Sequence, residues 1–413
     1  MKERIVITGA GIITSAGQGV EAHHQSLMKG GVQFKPLKEV IDFYPFTLNQ
    51  IDQACHEVLV SAVEKNNSEL AELAGLNPKK FDRHQIFAHL AAKEAMAGIE
   101  IINHERFACI GATGGAGLLD LFQSALLSFE MKRLLPSANL KYLPNLFVGY
   151  LAKEFNLKGP SHVHGTACAA SMHALFDLVR LIQLDRVDGG LVVGTEAAIS
   201  SFGIASFNSQ RALGNGLAYQ RDRSGFVMGE GAAALVVERE SVATERGANI
   251  LAVVSGYGES TDGTTDGAIT DPSPLGASRA IKEALTDAGL ELLDIDLIKT
   301  HGTATPKGDS SELEALLEIE SGKNSWKVPV LSLKSYFGHL LGAAGIAEIV
   351  SVSSLIKHQM VLPTRGLNPA NLDPACSTAK HNFESQELLL EHVLCNGFGF
   401  GGTNASVVIS KYN

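Results

Sequence analysis

The stretch IVITGAGIITSAG, Ile5–Gly17, reads as a buried β-strand that runs into a Gly-x-Gly turn and a polar tail. It is echoed by AVVSGYGESTDG, Ala252–Gly263, in strand, Gly-x-Gly and tail. The strands that follow each copy also end alike, in GATGG from Gly111 and HGTAT from His301. A duplicated chain accounts for both likenesses, and chance similarity of short glycine-rich strings is the competing reading. On the duplication, the first half is the longer, with insertions at roughly Val20 to Leu90 and Leu118 to Tyr150. Further apolar runs bounded by glycine lie at Phe107–Gly115, Gly189–Glu196, Ala232–Glu238, Leu297–Thr303 and Val328–Lys334. Between some of them, Ser278–Ala288 and Ser310–Glu320 carry apolar residues at three- and four-residue spacing, which predicts helices. Strands alternating with helices make this a layered α/β protein.

The chain's 413 residues suit two to three domains, or one large duplicated one, at roughly 150 residues per domain. With 45% hydrophobic and 19% charged residues and a mean hydropathy of +0.10, it buries a large core and is not disordered. The net charge of −10 speaks against nucleic acid, or an anionic membrane, as a partner of the whole surface. No apolar run reaches the 18 or so residues of a membrane span. The basic, apolar amino terminus imitates a signal peptide, but Gly9 and Gly11 break the run and a first buried strand fits better. Five scattered cysteines spell neither a disulfide framework nor a C-x-x-C metal site, so the expected location is a reducing cytoplasm.

Gly9-Ala10-Gly11 invites a dinucleotide-binding reading, but Thr14 stands where the third glycine belongs and no acidic residue follows at the right distance. A tight turn at the strand exit is expected instead. The pairs His23/His24 and His162/His164 lack a spaced carboxylate or cysteine, so neither a metal nor a cofactor is expected.

GPSHVHGTACAASMHALFDLV, Gly159–Val179, is more informative. A small-residue turn delivers Cys168 onto a helix start, where backbone N–H groups and the macrodipole favour thiolate. A buried, inert cysteine fits the same stretch. His301 and His339, with Lys334, fall at strand-to-loop junctions in glycine-rich surroundings, where α/β proteins place their sites. Together with Cys168 they point to acyl transfer through a thioester.

These residues sit in long ordered motifs: VITGAGIIT (Val6–Thr14), GTACAAS (Gly165–Ser171), RDRSGFVMGEGAAALV (Arg221–Val236), HGTATPKGDSSE (His301–Glu312), KSYFGHLLGAAG (Lys334–Gly345) and CNGFGFGGTN (Cys395–Asn404). With them, the chain resembles the β-ketoacyl-acyl carrier protein synthases, condensing enzymes of the thiolase superfamily, and among them the type II synthases with a Cys-His-His triad. The resemblance implies a duplicated, five-layered αβαβα thiolase-like fold, divided here into halves at 1–250 and 251–413. It also implies decarboxylative Claisen condensation of an acyl group on Cys168 with malonyl-acyl carrier protein. By motif position, His301 and His339 would act on the malonyl thioester, Lys334 would be the site lysine, and Asp309, Glu312 and Glu348 would support them. Backbone N–H groups of Cys168 and Phe400 would form the oxyanion hole, with Phe400 gating entry. No cofactor is implied. The implied partners are acyl carrier protein, docked on a basic patch of Lys79, Lys80 and Arg211, and a second subunit, identical or a ketosynthase paralogue.

Two features depart from the family's usual pattern. The loop after Arg211 is short and lacks a Pro-Phe-Asp run, and Gly114 stands where a bulky aliphatic is common, which would lengthen the acyl pocket. A thiolase would pair Cys168 with a second catalytic cysteine, for which only Cys395 is available. A chain-length-factor-like subunit would typically lack the nucleophile.

Overall fold

The computed structural model describes residues 3–115, 117, 125, 129, 136, 138–263, 268–320 and 327–413. Its main sheet contains β1 (Ile5–Thr14), β2 (Phe107–Ala112), β3 (Ser161–His164), β4 (Gly189–Glu196), β5 (Gly231–Arg239), β6 (Ala252–Thr261), β7 (Leu297–Lys299), β8 (Pro329–Leu331), β9 (Lys380–His381), β10 (His392–Gly399) and β11 (Thr403–Ser410). The strands lie side by side in the order β9-β8-β7-β10-β11-β6-β1-β5-β4-β2-β3. Outward from the β1–β6 junction the two sides read alike. From β1, two antiparallel neighbours (β5, β4) are followed by two parallel ones (β2, β3); from β6, β11 and β10 are followed by β7 and β8 in the same senses.

The strands read as continuous apolar runs because both faces are covered. Helices α3 (Ala170–Gln183) and α6 (Ala344–His358) share one core with the inner faces of both half-sheets, through residues such as Leu175, Ile346, Leu235 and Val407. On the outer faces, α1 (Arg83–Ala95) packs over β4 and β5, and α2 (Leu146–Glu154) over β2. Likewise α4 (Pro274–Ala288) packs over β6 and β11, and α5 (Pro306–Ile319) packs beside α4 in a core that includes Ile298 of β7 and Leu394 of β10. The layers run helix, sheet, helix, sheet, helix, which is the thiolase-like αβαβα arrangement.

Gly9 and Gly11 are not a strand-exit turn as expected. They lie inside β1, where an added Cβ would stand 2.1 Å from the Ala95 and Ala91 carbonyl oxygens of α1. Gly256 and Gly258 do the same service in β6, where a Cβ would meet the Ala284 and Ala280 oxygens of α4 at 2.6 and 2.2 Å. Each glycine pair therefore brings an outer helix against the sheet, and each follows a register shift, at Ile7/Gly9 and Val254/Gly256. Because α1 is the counterpart of α4, the first insertion stops before Asp82 and does not reach Leu90. Much of the second, 118–137, lies outside the described residues. The two predicted helices begin a turn earlier than expected, after Ser273 and Thr305, because Pro274 and Pro306 occupy the first helical turn. Among the described residues, no helix is long and apolar enough to cross a membrane.

Candidate active site

Cys168 lies between edge strand β3 and α3. The chain turns sharply there because Ala167 adopts φ 49°, unusual for a residue with a Cβ, and a short 3-10 turn, Ala167–Ala169, feeds directly into the helix. The sulfur then faces two residues from the other half of the sheet. His339 Nε2 is 3.1 Å from Cys168 Sγ. Its other ring nitrogen, Nδ1, accepts the Leu341 N–H at 3.2 Å, which leaves the proton on Nε2, aimed at the sulfur. His301 stands with its ring centroid 5.6 Å from that of His339 and nearly perpendicular to it. Its Nδ1 is buried and has no hydrogen-bond partner among the described residues. The Phe400 N–H, in the β10–β11 turn, also points at the sulfur and favours its thiolate form.

The acidic residues of the site act on backbone and lysine. Glu312, on α5, accepts the His301 N–H at 2.8 Å, the Gly302 N–H at 3.0 Å and Asn396 Nδ2 at 2.9 Å, so it fixes the loop that carries His301. Asp309 accepts the Ala304 N–H at 3.0 Å and the Tyr219 N–H at 3.1 Å, holding Ala304 at φ 61°; burial raises its pKa to about 7. Glu348, on α6, takes Lys334 Nζ at 2.5 Å on one oxygen and Lys299 Nζ on the other. Lys299 also donates to the Asn396 carbonyl at 2.6 Å. This buried Lys-Glu-Lys group leaves a net positive charge beside the imidazoles. Burial, reinforced by Lys334, holds both His301 and His339 well below the ordinary histidine range, so both rings are neutral at pH 7.

The expected thiolate is not the resting state. Burial pushes the Cys168 thiol up to about 12, and Glu196 and Glu348 push the same way. Lys334 and the Phe400 N–H pull against them without prevailing. A helix start favours thiolate only where the sulfur keeps its solvation, and this one lies on the floor of a largely apolar cleft.

The cleft has a volume of about 530 Å³ and is lined by Cys168, His301, His339, Phe398 and Phe400, with Arg211 and Lys307 among its other lining residues. Phe400 is 39% exposed and its ring lies 6.3 Å from that of Phe207, at the cleft entrance. Lys79 and Lys80 are exposed in the turn ahead of α1 and do not line the cleft with Arg211.

Gly114 is not placed in the cleft either. A Cβ there would stand 2.9 Å from Glu196 Oε2 and 3.3 Å from the Gly342 nitrogen, so glycine makes room for a buried carboxylate. That carboxylate accepts N–H groups of Gly114, Gly115 and Gly342 at 2.7, 3.2 and 3.1 Å. Its own pKa is raised by burial. Cys395 is fully buried in β10 with its thiol pushed up to about 12 by burial, a packed residue and not a second nucleophile.

Residues 2–243 match the family model described as beta-ketoacyl synthase, N-terminal domain, and residues 251–368 match its C-terminal domain. The chain belongs to the β-ketoacyl synthase family. It is 32% identical to a 3-oxoacyl-[acyl-carrier-protein] synthase 2 of Staphylococcus aureus over 425 aligned residues, covering 99% of both chains. To the Synechocystis enzyme of the same name it is 33% identical, covering 100% of this chain and 99% of that one. Among solved structures, a β-ketoacyl synthase from Burkholderia phymatum superposes with a TM-score of 0.85 at 26% identity, and the ishigamide ketosynthase/chain length factor with 0.85 at 27%. Each covers 100% of both chains.

For this β-ketoacyl synthase, sequence reasoning missed two buried charges of the site. Lys299 carries a readable signal, a lysine closing the otherwise apolar strand Leu297–Lys299, two residues before His301. Glu196 carries one too, closing the buried strand Gly189–Glu196. Neither side chain is plausible in a core without a partner.

Proposed function

We propose that the chain performs decarboxylative Claisen condensation, joining an acyl group held on Cys168 to malonyl-acyl carrier protein and releasing 3-oxoacyl-acyl carrier protein and CO2. The carrying observation is the contact between Cys168 and His339, whose Nδ1 is occupied by a backbone N–H so that Nε2 can only donate. In the first step the Cys168 sulfur attacks the acyl thioester, and its proton leaves with the departing carrier thiol. Malonyl thioester then loses CO2, and its enolate oxygen is met by the N–H groups of neutral His301 and His339. The enolate carbon attacks the acyl carbonyl. Cys168 and Phe400 N–H groups hold the oxyanion, and collapse expels the Cys168 thiolate, which is reprotonated. Lys334 and Lys299, clamped by Glu348, keep the imidazoles neutral and ease thiolate departure. Asp309 and Glu312 position the His301 loop.

No step requires a cofactor. Acyl carrier protein docks over Arg211 at the cleft, with Lys79 and Lys80 as a more distant basic pair. The chain works as two halves, 1–250 and 251–413, supported by the mirrored sheet order and by two family models that meet near residue 250. It pairs with a second subunit, identical or a ketosynthase paralogue, in the cytoplasm. Its complete set of Cys168, His301 and His339 favours the active condensing role over a chain-length-factor-like one.

Intact-protein mass after incubation with a panel of acyl carrier thioesters tests the reading. One acyl adduct on the wild type, absent from Cys168→Ala, is expected. An adduct persisting on Cys168→Ala overturns it.

A further inference from the structure

His162 and His164 lie outside the chemistry described above. Alternation along β3 sends both imidazoles to the same side of the strand. Helix α3, which follows directly after Cys168, brings Asp177 to meet them. His162 Nε2 hydrogen-bonds Asp177 Oδ2, and His164 Nε2 lies 3.5 Å from the same oxygen. One ligand atom from each of the three residues lies within 4.8 Å of the other two, and among the described residues no other trio of His, Cys, Asp or Glu is gathered so closely.

Two imidazoles and one carboxylate are the donors that zinc-type ions take, at about 2.0–2.2 Å each. An ion bonded at those lengths holds its ligand atoms about 3 Å apart, and the three atoms here already lie within 4.8 Å of one another. Within one chain the side chains of His162, His164 and Asp177 are 44%, 26% and 26% exposed. The sequence hid the site because the carboxylate arrives from the next helix. Both elements meet at the turn that presents the nucleophile, and among the described residues β3 is the last strand of the sheet, next to β2.

We propose that His162, His164 and Asp177 form a binding site for one divalent transition-metal ion of zinc type, which ties edge strand β3 to helix α3 beside the Cys168 turn. The role is structural. The ion has no part in the condensation, none of whose groups is among its three ligands.

The test is titration of chelator-stripped, full-length protein with zinc sulfate by calorimetry at pH 7.5. It is run in a Cys168→Ala background because the thiol and two imidazoles of the active site could themselves take up zinc. One ion per chain is expected, with nitrogen and oxygen but no sulfur in its X-ray absorption spectrum. Adding Asp177→Asn or His162→Ala should weaken binding at least tenfold. Should either variant fail to fold, His162→Gln replaces it, since that side chain is the most exposed of the three. Failure of the Cys168→Ala protein to bind zinc, or equal affinity in all the second-site variants, overturns the proposal. Hydrogen bonding of the cluster without metal would give the first of those results.

Discussion

Glu312→Gln separates the two half-reactions. Glu312 Oε1 accepts from the His301 N–H and from Asn396 Nδ2, while Oε2 accepts from the Gly302 N–H. Glutamine fills the same volume with one acceptor fewer. If its oxygen takes the Oε1 place, its amide nitrogen faces the Gly302 N–H, donor against donor. The reverse orientation strands His301 and Asn396 together, which is worse. The better orientation leaves one buried backbone donor unmet, costing about 1–3 kcal/mol, and the remaining bonds weaken as they lose their charged acceptor, by about 1 kcal/mol. The loop relieves this strain by moving, and His301 moves with it. At about 1.4 kcal/mol per factor of ten, this summed cost of about 2–4 kcal/mol should lower decarboxylation and condensation by about 30- to 700-fold. Acylation should stay within threefold, because Glu312 has no contact with the sulfur. Release of CO2 from malonyl carrier protein and intact-mass acylation read the two steps separately. Decarboxylation within twofold of wild type, or acylation falling in parallel, would refute the positioning role of Glu312.

Removing the imidazoles themselves, His301→Ala and His339→Ala, should each lower condensation on the order of 10²-fold, the scale for one oxyanion donor, while acylation survives better; equal loss of both steps in both variants argues that they serve the nucleophile. Cys168→Gln, a neutral imitation of the acylated site, should form no adduct yet retain malonyl decarboxylation, and a folded variant without CO2 release contradicts the division of labour. A thiol pushed up to about 12 predicts that iodoacetamide modification of Cys168 in the resting enzyme accelerates about tenfold per pH unit from 6 to 9.5. A plateau below pH 9 would place the thiolate at rest instead. Because burial holds both histidines well below their ordinary range, condensation should not decline between pH 8 and 6 through protonation of either ring. Gly114→Ala should lower stability by about 1–3 kcal/mol in denaturant melts by pressing on Glu196, and an unchanged midpoint would show that the carboxylate yields freely.

The apolar strands, the helix start at Cys168 and the two histidine junctions were legible because each is local: a run, a turn, a spacing. Strands β10 and β11 were not predicted from the sequence. The glycines of CNGFGFGGTN suggest a loop, yet they are needed where Gly397 faces the Met172 sulfur and Gly399 faces the Thr166 carbonyl, both across the central layer. The Gly-x-Gly pairs were found but misjudged, since only the docked helix reveals what a Cβ would strike. The Glu348 clamp was legible by half. Lys334 opens its motif and Glu348 follows that motif by three residues, whereas Lys299 joins them from a parallel strand in another part of the chain. The sign of the Cys168 shift was out of reach for the same reason, because desolvation depends on what the other half of the molecule packs over the sulfur.

The two halves also explain why one turn geometry serves two purposes. Ala167, at φ 49°, opens a 3-10 turn of Ala167–Ala169 that runs into α3, and Leu341, at φ 45°, opens one of Leu341–Ala343 that runs into α6. Cys168 occupies the middle of the first turn, and Gly342 the middle of the second. At the second, the side chain is gone and the backbone does the work: the Leu341 N–H sets the tautomer of His339, and the Gly342 N–H is held by Glu196 from the first half. A Cβ on Gly342 would stand 2.2 Å from the Gly114 nitrogen, so a second nucleophile cannot be accommodated at the counterpart position. The duplicated turn thus supplies a sulfur on one side and two fixed backbone donors on the other. The Glu196 carboxylate, bonded at once to Gly114, Gly115 and Gly342, holds the second turn in register with the first. Glu196→Gln should consequently loosen His339 without touching it. The expected result is condensation reduced about tenfold with acylation nearly intact, the loss of one charge-assisted bond at about 1.5–3 kcal/mol being shared between stability and alignment. Wild-type condensation in a folded Glu196→Gln enzyme would mean that the Leu341 turn holds its shape unaided.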